Sequence, residues 1–411
     1  MFQRPRGTRD FLPEDMEKRR YLENKLRETF LSYGYREVQT PTFEHLELFT
    51  AKSGEGILEE IYSFKDKSGR DLALRPELTA PVIRMYIEKL QMHPKPLKLF
   101  YFGNCFRYDR PQKGRYREFT QAGCEFIGCD TPESIAELIS LAWNCLEKSG
   151  LKNINLRIGN LNILNYFLET LGIDQVTKKT MMPFIDKRDY ESLEGMLKRK
   201  FSKGKISNLL KFLQIDNIDE LKRICKDETE EIERFEKVIH YLGVFGVKRF
   251  EISMEIVRGL EYYRGIVFEI ESPNLGAERQ ICGGGEYELI GTFGGKDVAT
   301  AGFAIGFDRV ILALESEGFV FPKDEIDFYV IPASKKQGIV EKSMKIAMKL
   351  REKGERVDID LTGRNLKKSM KYADSMGFKK VIIVGEKDLE EGKVTVRDME
   401  TGRQEKIEVD F

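Results

Sequence analysis

Histidine is nearly absent from this chain: three in 411 residues. His45, His93 and His240 are too far apart to form a ligand set, so no metal site of the zinc type is expected. The six cysteines, Cys105, Cys124, Cys129, Cys145, Cys225 and Cys282, include no Cys-x-x-Cys pair. Reduced, mostly buried thiols are expected instead of a disulfide frame. No apolar run approaches the ~18 residues that suggest a membrane span. Residues 1–10 carry no apolar stretch, so no secretory leader is expected and the reading is of a cytoplasmic protein. An excess of one charge is missing as well, because Lys+Arg and Asp+Glu both number 68. Bulk charge therefore announces no nucleic-acid partner, and phosphates must meet local basic patches. Composition alone leaves an enzyme and a binding module equally open.

What is present suits a globular protein of two or three domains, with 41% hydrophobic residues. Residues 14–32 read as an amphipathic helix after Pro13, with Leu22, Leu26, Phe30 and Leu31 as its stripe and Gly34 as its stop. Residues 35–43 read as a strand interrupted by Pro41, which cannot donate to a ladder and so marks an edge or interface. Residues 98–108 and 118–128 predict an antiparallel hairpin with a basic tip, Arg110-Pro111-Gln112-Lys113-Gly114-Arg115-Tyr116-Arg117. A helical pattern follows at 134–149. Residues 175–245 turn Lys/Glu-rich and helical, which predicts an inserted helical domain. Strand patterns return at 250–271, 278–283 and 298–307, and a helix follows over 310–316. Beyond Gly318 and Pro322, strands at 327–331, 357–361 and 380–385 alternate with helices at 335–353 and 364–376, and a hairpin ends the chain over 393–409. That alternation predicts a separate α/β domain over 325–411 with a largely parallel sheet.

Three strings carry unusual chemistry. Phe106-Arg107-Tyr108-Asp109 puts an arginine in a strand, where a buried charge needs a partner. Either Asp109 or a neighbour pairs with it, or a ligand does. Arg258-Gly259-Leu260-Glu261-Tyr262-Tyr263 places tyrosines beside a charged pair, suited to gripping an imidazole or a base, or else half-buried at a strand–loop junction. In Ala301-Gly302-Phe303-Ala304-Ile305-Gly306-Phe307-Asp308-Arg309, small residues let a flat ligand lie on backbone. Asp308 is expected to cap the following helix, and Arg309 to reach a phosphate, against an alternative of ordinary strand–helix packing. The cluster Gly283-Gly284-Gly285 has no Gly-Lys-Ser/Thr ending and opens no helix with GxGxxG, so neither a Walker site nor a dinucleotide fingerprint is expected. Arginine-rich and histidine-poor strings are compatible with attack of a carboxylate on the α-phosphate of ATP. That nucleophile is already ionised and needs no base, whereas the developing charge needs cations.

In this order the strings resemble class II aminoacyl-tRNA synthetases, and specifically the histidine family. Gly7-Thr8-Arg9-Asp10-Phe11-Leu12-Pro13 resembles that family's opening. The helix at 14–32 with the Pro41 strand resembles motif 1, Phe106 to Glu125 resembles motif 2, and Gly302 to Arg309 resembles motif 3. Arg258 to Tyr263 and the cluster at 282–288 are similar to the histidine-specific signature. Gly363-Arg364-Asn365-Leu366-Lys367-Lys368 is similar to a string of the anticodon-binding domain. The resemblance covers nearly the whole chain. It implies an α+β catalytic domain with a mainly antiparallel sheet over 1–174 and 246–320, a helical insertion over 175–245 and an α/β anticodon-binding domain over 325–411.

The resemblance also implies roles. Arg107 would hold the ATP α-phosphate and the histidine carboxylate, with Arg258 at the same phosphate as the second catalytic cation. Arg309 would lie on the adenine and reach the γ-phosphate, and Arg115 would contact the triphosphate. Glu77 would take the substrate ammonium, with Thr79 and Gln121 beside it. Glu125 and Tyr263 would grip the imidazole nitrogens, with Tyr262 and Tyr287 nearby. Arg110 and Gln112 would meet the acceptor end of tRNA(His), with its extra 5′ guanosine. ATP with Mg2+, L-histidine, tRNA(His) and a homodimer complete the set, with no metal held by the protein itself. The sequence departs from the family at Asp109 and Glu288, and at Glu286 it reverses the charge of the usual arginine. The basic run at 198–205 is a candidate tRNA face, although such runs are more often solvated surface. A regulatory paralogue of histidine biosynthesis is the alternative, but it would lack the last domain and erode the ATP arginines. A threonine, proline or glycine enzyme would lack the Arg258–Tyr263 string.

Overall fold

The computed structural model describes residues 2–53, 55–110, 114–257 and 262–408. The chain divides into two compact units, Met1–Phe321 and Pro322–Phe411.

The first unit is organised by an eight-stranded sheet. Its strands run in the spatial order Arg36–Glu37, Leu97–Phe106, Glu118–Ile127, Thr300–Gly306, Gln280–Tyr287, Tyr263–Glu271, Asn155–Asn160 and Glu251–Ile252. Every pairing is antiparallel except those of the two short outermost strands. The helix Pro13–Ser32 begins with proline at its first position, where the missing N–H costs nothing, and Asp15 accepts from the Leu12 amide at 3.1 Å. Leu22, Leu26 and Phe30 are fully buried, and the Phe30 ring stacks on Phe100 at 5.0 Å. Each such ring contributes roughly 2–3 kcal/mol by leaving water. Beside it packs the helix Pro132–Lys148, capped by Thr131.

The strand expected over 35–43 is broken in two. Arg36–Glu37 joins the large sheet, whereas Phe43–His45 joins a second, three-stranded sheet with Asp71–Leu74 and Ser63–Lys65. The physical reason is visible at the break. Buried Arg75 donates to the carbonyls of Thr40 and Pro41 at 2.8 and 3.0 Å, replacing the ladder bonds that the turn at Pro41 loses. The pattern at 250–271 is likewise split, into Glu251–Ile252 and Tyr263–Glu271.

Residues 175–244 form the helices Gln175–Asp186, Tyr190–Leu197, Lys203–Leu213, Ile218–Ile224 and Thr229–Val244. Asp174, Asp189, Ser202 and Asn217 cap the first four, each accepting an amide of the first turn. Their buried faces merge with the core under the sheet, where Phe167 stacks on Phe212 at 4.0 Å.

The second unit holds a five-stranded sheet in the order Val357–Ile359, Phe328–Pro332, Lys380–Val384, Lys393–Asp398 and Gln404–Glu408. The first three strands are parallel and the last two antiparallel. Val330, Ile382 and Val384 face the helix Gln337–Glu352, while Tyr329, Ile331 and Val381 face the helix Leu366–Met376. Alternation along each strand thus fills both faces. All six cysteines are free thiols.

Candidate active site

The hairpin Leu97–Phe106 and Glu118–Ile127 and the strands beside it carry a cleft of about 320 Å³. Arg107, Arg115, Gln121, Tyr263 and Arg309 all line it, so residues far apart in sequence converge. Arg107 donates to the Pro76 carbonyl at 2.9 Å and lies over the Phe119 ring at 5.2 Å. Asp109, proposed from sequence as its partner, instead faces Arg115 at 3.8 Å. Arg309 donates to the carbonyls of Gly114 and Gln280 at 3.1 and 2.9 Å, tying the loop tip to the central sheet. Arginines held by backbone carbonyls keep their charge available to an anion. Asp186, Glu269 and Gly283 also line the cleft, the first two unforeseen in the sequence.

Asp308 does not cap its helix. Gly306 occupies the N-cap, and Asp308 accepts from Arg9 at 2.7 Å, Arg19 at 2.6 Å and the Thr120 amide at 2.9 Å. The carboxylate had better partners than its own helix, because two cations were brought to it by the N-terminal segment.

Next to the cleft the polar residues go underground. Glu125 is 1% exposed and accepts from the Tyr101 hydroxyl at 2.9 Å and the Tyr287 hydroxyl at 2.5 Å. Burial pushes its carboxyl up to about 7, while the hydroxyls of Tyr287, Tyr101 and Thr79 pull the other way. Two glycines make room for this group. A Cβ at Gly302 would stand 2.2 Å from the Glu125 carboxylate, and one at Gly123 would stand 2.8 Å from the Tyr101 hydroxyl. Of the small residues expected to seat a flat ligand, Gly302 makes room for this carboxylate, whereas Ala304 and Gly306 line the cleft. Tyr262 and Tyr263 stack at 4.8 Å, and both meet the Tyr287 ring edge-on. Glu77 accepts from the amides of Thr79 and Ala80 at 2.7 and 3.0 Å, at the start of the helix Thr79–Met85. Gln121 accepts from the Cys105 thiol at 3.4 Å.

Gln121, Glu125, Tyr263 and Tyr287 therefore sit on strands of one sheet, Tyr262 directly precedes one of them, and Glu77 and Thr79 lie at the start of the helix Thr79–Met85. Arg110 is exposed at the end of the described hairpin limb. Arg258 and Gln112 lie outside the described residues. Tyr101 was missed from sequence, because a tyrosine in an apolar strand looks like core until Gly123 and Glu125 are seen across from it.

The charge reversal at Glu286 has a partner. Arg234, on the helix Thr229–Val244, forms a two-pronged ion pair with it, and Glu286 accepts from the Ile266 amide at 2.7 Å. Glu288 pairs with Arg264. Of the basic run, Lys198 pairs with Glu194 one turn before it, Lys200 donates to Thr177 on the helix Gln175–Asp186, and Lys205 donates to the Leu171 carbonyl at the end of the helix Leu161–Thr170. Among the described residues no group of three or more His, Cys, Asp or Glu side chains is arranged to hold a metal, and no helix is long and apolar enough to cross a membrane.

A mainly antiparallel sheet with an arginine-lined cleft, followed by a separate α/β unit, is the architecture of the class II synthetases. Comparison with known proteins agrees. The family described as histidyl-tRNA synthetase matches residues 7–310, and that described as anticodon binding domain matches residues 327–411. A histidine–tRNA ligase of Methanocaldococcus jannaschii is 47% identical, over 100% of this chain and 98% of its own. One from Archaeoglobus fulgidus is 46% identical, over 98% and 96%. The apo crystal structure of the S. aureus histidyl-tRNA synthetase superposes with a TM-score of 0.78 at 33% identity, covering 99% of this chain and 97% of that one. The chain belongs to the histidyl-tRNA synthetase family.

Proposed function

We propose that this chain is a histidine–tRNA ligase, which activates L-histidine with ATP to histidyl-adenylate and pyrophosphate and then transfers histidine to the 3′ end of tRNA(His). The observation that carries the histidine reading is Glu125, a buried carboxylate clamped by two tyrosine hydroxyls beside an arginine-lined cleft. Neutral imidazole offers one N–H and one lone pair. The Glu125 carboxylate accepts the first and the Tyr263 hydroxyl donates to the second, while the Tyr287 hydroxyl donates to Glu125. A polar pocket of this kind rejects an isostere lacking those groups far better than an apolar one rejects a missing methylene. Full-length relatives with both units present support the ligase over a regulatory paralogue.

The amino acid carboxylate attacks the α-phosphate as an anion, so the chain has no proton to remove at that step. Arg107 and Arg258 neutralise the charge that develops on the phosphate, and pyrophosphate leaves against Arg115 and Arg309. Glu77, with Thr79 and Gln121, orients the substrate ammonium. Mg2+ would neutralise part of the triphosphate charge, and Glu269 and Asp186 are the cleft carboxylates that would hold it. Arg110 and Gln112 receive the acceptor end of the tRNA, while the unit at 322–411 reads the anticodon. The chain works as a cytoplasmic homodimer. The exposed Phe43 and Phe64 rings, paired at 6.3 Å on the three-stranded sheet, supply apolar surface for that association. Histidine-dependent ATP–pyrophosphate exchange is the direct test, and exchange driven by another amino acid, or none, overturns the assignment.

A further inference from the structure

We infer that Arg9, which does not line the cleft, is a positioning residue for ATP: it sets the loop at 114–117 in the shape that presents Arg115 to the triphosphate. This rests on the reading of the cleft as the ATP site.

The loop is held from three directions. Arg309 donates to the Gly114 carbonyl at 3.1 Å. The Arg117 amide donates to the Gly7 carbonyl at 2.9 Å, and the Arg107 amide to the Arg117 carbonyl at 2.9 Å. Between these anchors the Arg9 guanidinium lies over the Tyr116 ring, 3.4 Å from its centroid, while one of its nitrogens donates to Asp308 at 2.7 Å. Tyr116 and Asp308 both line the cleft. One planar cation therefore bridges the loop to the start of the helix that carries Arg309. Gly7 lets the N-terminal segment come this close, since its φ is +86° and a Cβ there would meet the Arg117 side chain at 2.7 Å.

Arg115, the residue between these anchors, is exposed, and its ion pair with Asp109 is long at 3.8 Å. The anchors on Gly114, Tyr116 and Arg117 fix the backbone on both sides of it. A loop ordered in advance spares ATP the entropy of ordering it on binding. Asp308 keeps Arg19 and the Thr120 amide if Arg9 is removed, so the helix start stays satisfied. Arg9 has little reason to affect histidine, because its partners do not include Glu125, Tyr101 or Tyr287.

Arg9→Ala is expected to raise KM for ATP in the exchange reaction roughly 10-fold. KM for histidine, kcat and the melting temperature stay near those of the unaltered chain. Arg9→Lys keeps a cation for Asp308 but has no plane to lay on Tyr116, so its KM for ATP falls between the two. Titration of a non-hydrolysable ATP analogue by calorimetry reads the same loss without catalysis, so failure of the ligase reading would not hide it. An unchanged ATP affinity in both variants overturns the inference. So does an equal rise in both KM values together with a lowered melting temperature. If Arg9→Ala does not fold, Arg9→Lys decides alone: weakened ATP binding at a native melting temperature supports the inference, and unchanged binding ends it.

Discussion

Glu125 is an acidic side chain only 1% exposed to water. Its carboxyl is raised to about 7 from an ordinary value of 4.5. A raised value means that the folded chain binds the proton more tightly than the unfolded one. The associated stability is present in full below about pH 4.5 and is lost as pH rises through 7. Glu125→Gln removes that dependence. Its melting temperature is expected to gain on the native chain between pH 5 and pH 8, by at most about 3 kcal/mol of stability. The same variant is expected to lose about 100-fold or more in kcat/KM for histidine, because an amide cannot act as an anionic acceptor. Thermal scans across that pH range and exchange kinetics check both. Arg258→Ala is expected to cut exchange by about 100-fold or more with the fold intact, since a phosphate-facing cation stabilises the transition state by several kcal/mol. Exchange near the native rate refutes the role.

The pairing of Arg234 with Glu286 joins the helix Thr229–Val244 to the strand Gln280–Tyr287. It gives the buried Glu286 carboxylate a cationic partner. Glu286→Arg would face Arg234 across a mostly buried contact and is expected to destabilise the chain by about 3 kcal/mol. Adding Arg234→Glu should recover most of that, short of about 1 kcal/mol for the lost bond from the Ile266 amide. Denaturant midpoints of the two single variants and the double variant complete the cycle, and strict additivity would show that the pair is not coupled. Element placement itself was largely legible in sequence. The helix at 14–32, the hairpin and the alternating last domain follow from periods of 3.6 and 2 residues. The break near Pro41 was read as a single interrupted strand, since the sorting of its halves into two sheets depends on Arg75, distant in sequence.

At the scale of the whole chain, the residues that line the cleft and buried Glu125 all lie within Met1–Phe321. A chain ending at Phe321 is therefore expected to retain histidine-dependent exchange. Its aminoacylation of tRNA(His) should fall by about 100-fold or more, because a second binding module supplies affinity through effective concentration. Loss of exchange on truncation would show that activation needs the last unit.

The sequence by itself determined the family, the order of the elements and the arginines of the cleft, because these rest on local periods and on contiguous strings. Only tertiary structure decided the partners. Asp308 looked like a helix cap and became the anchor of Arg9 and Arg19. Glu286 looked like an unmatched reversal and found Arg234. Tyr101 looked like core and proved to hold Glu125. A charge or hydroxyl is satisfied by whatever the fold brings within hydrogen-bond reach, and that neighbour is set by packing between segments rather than by the residues beside it in the chain.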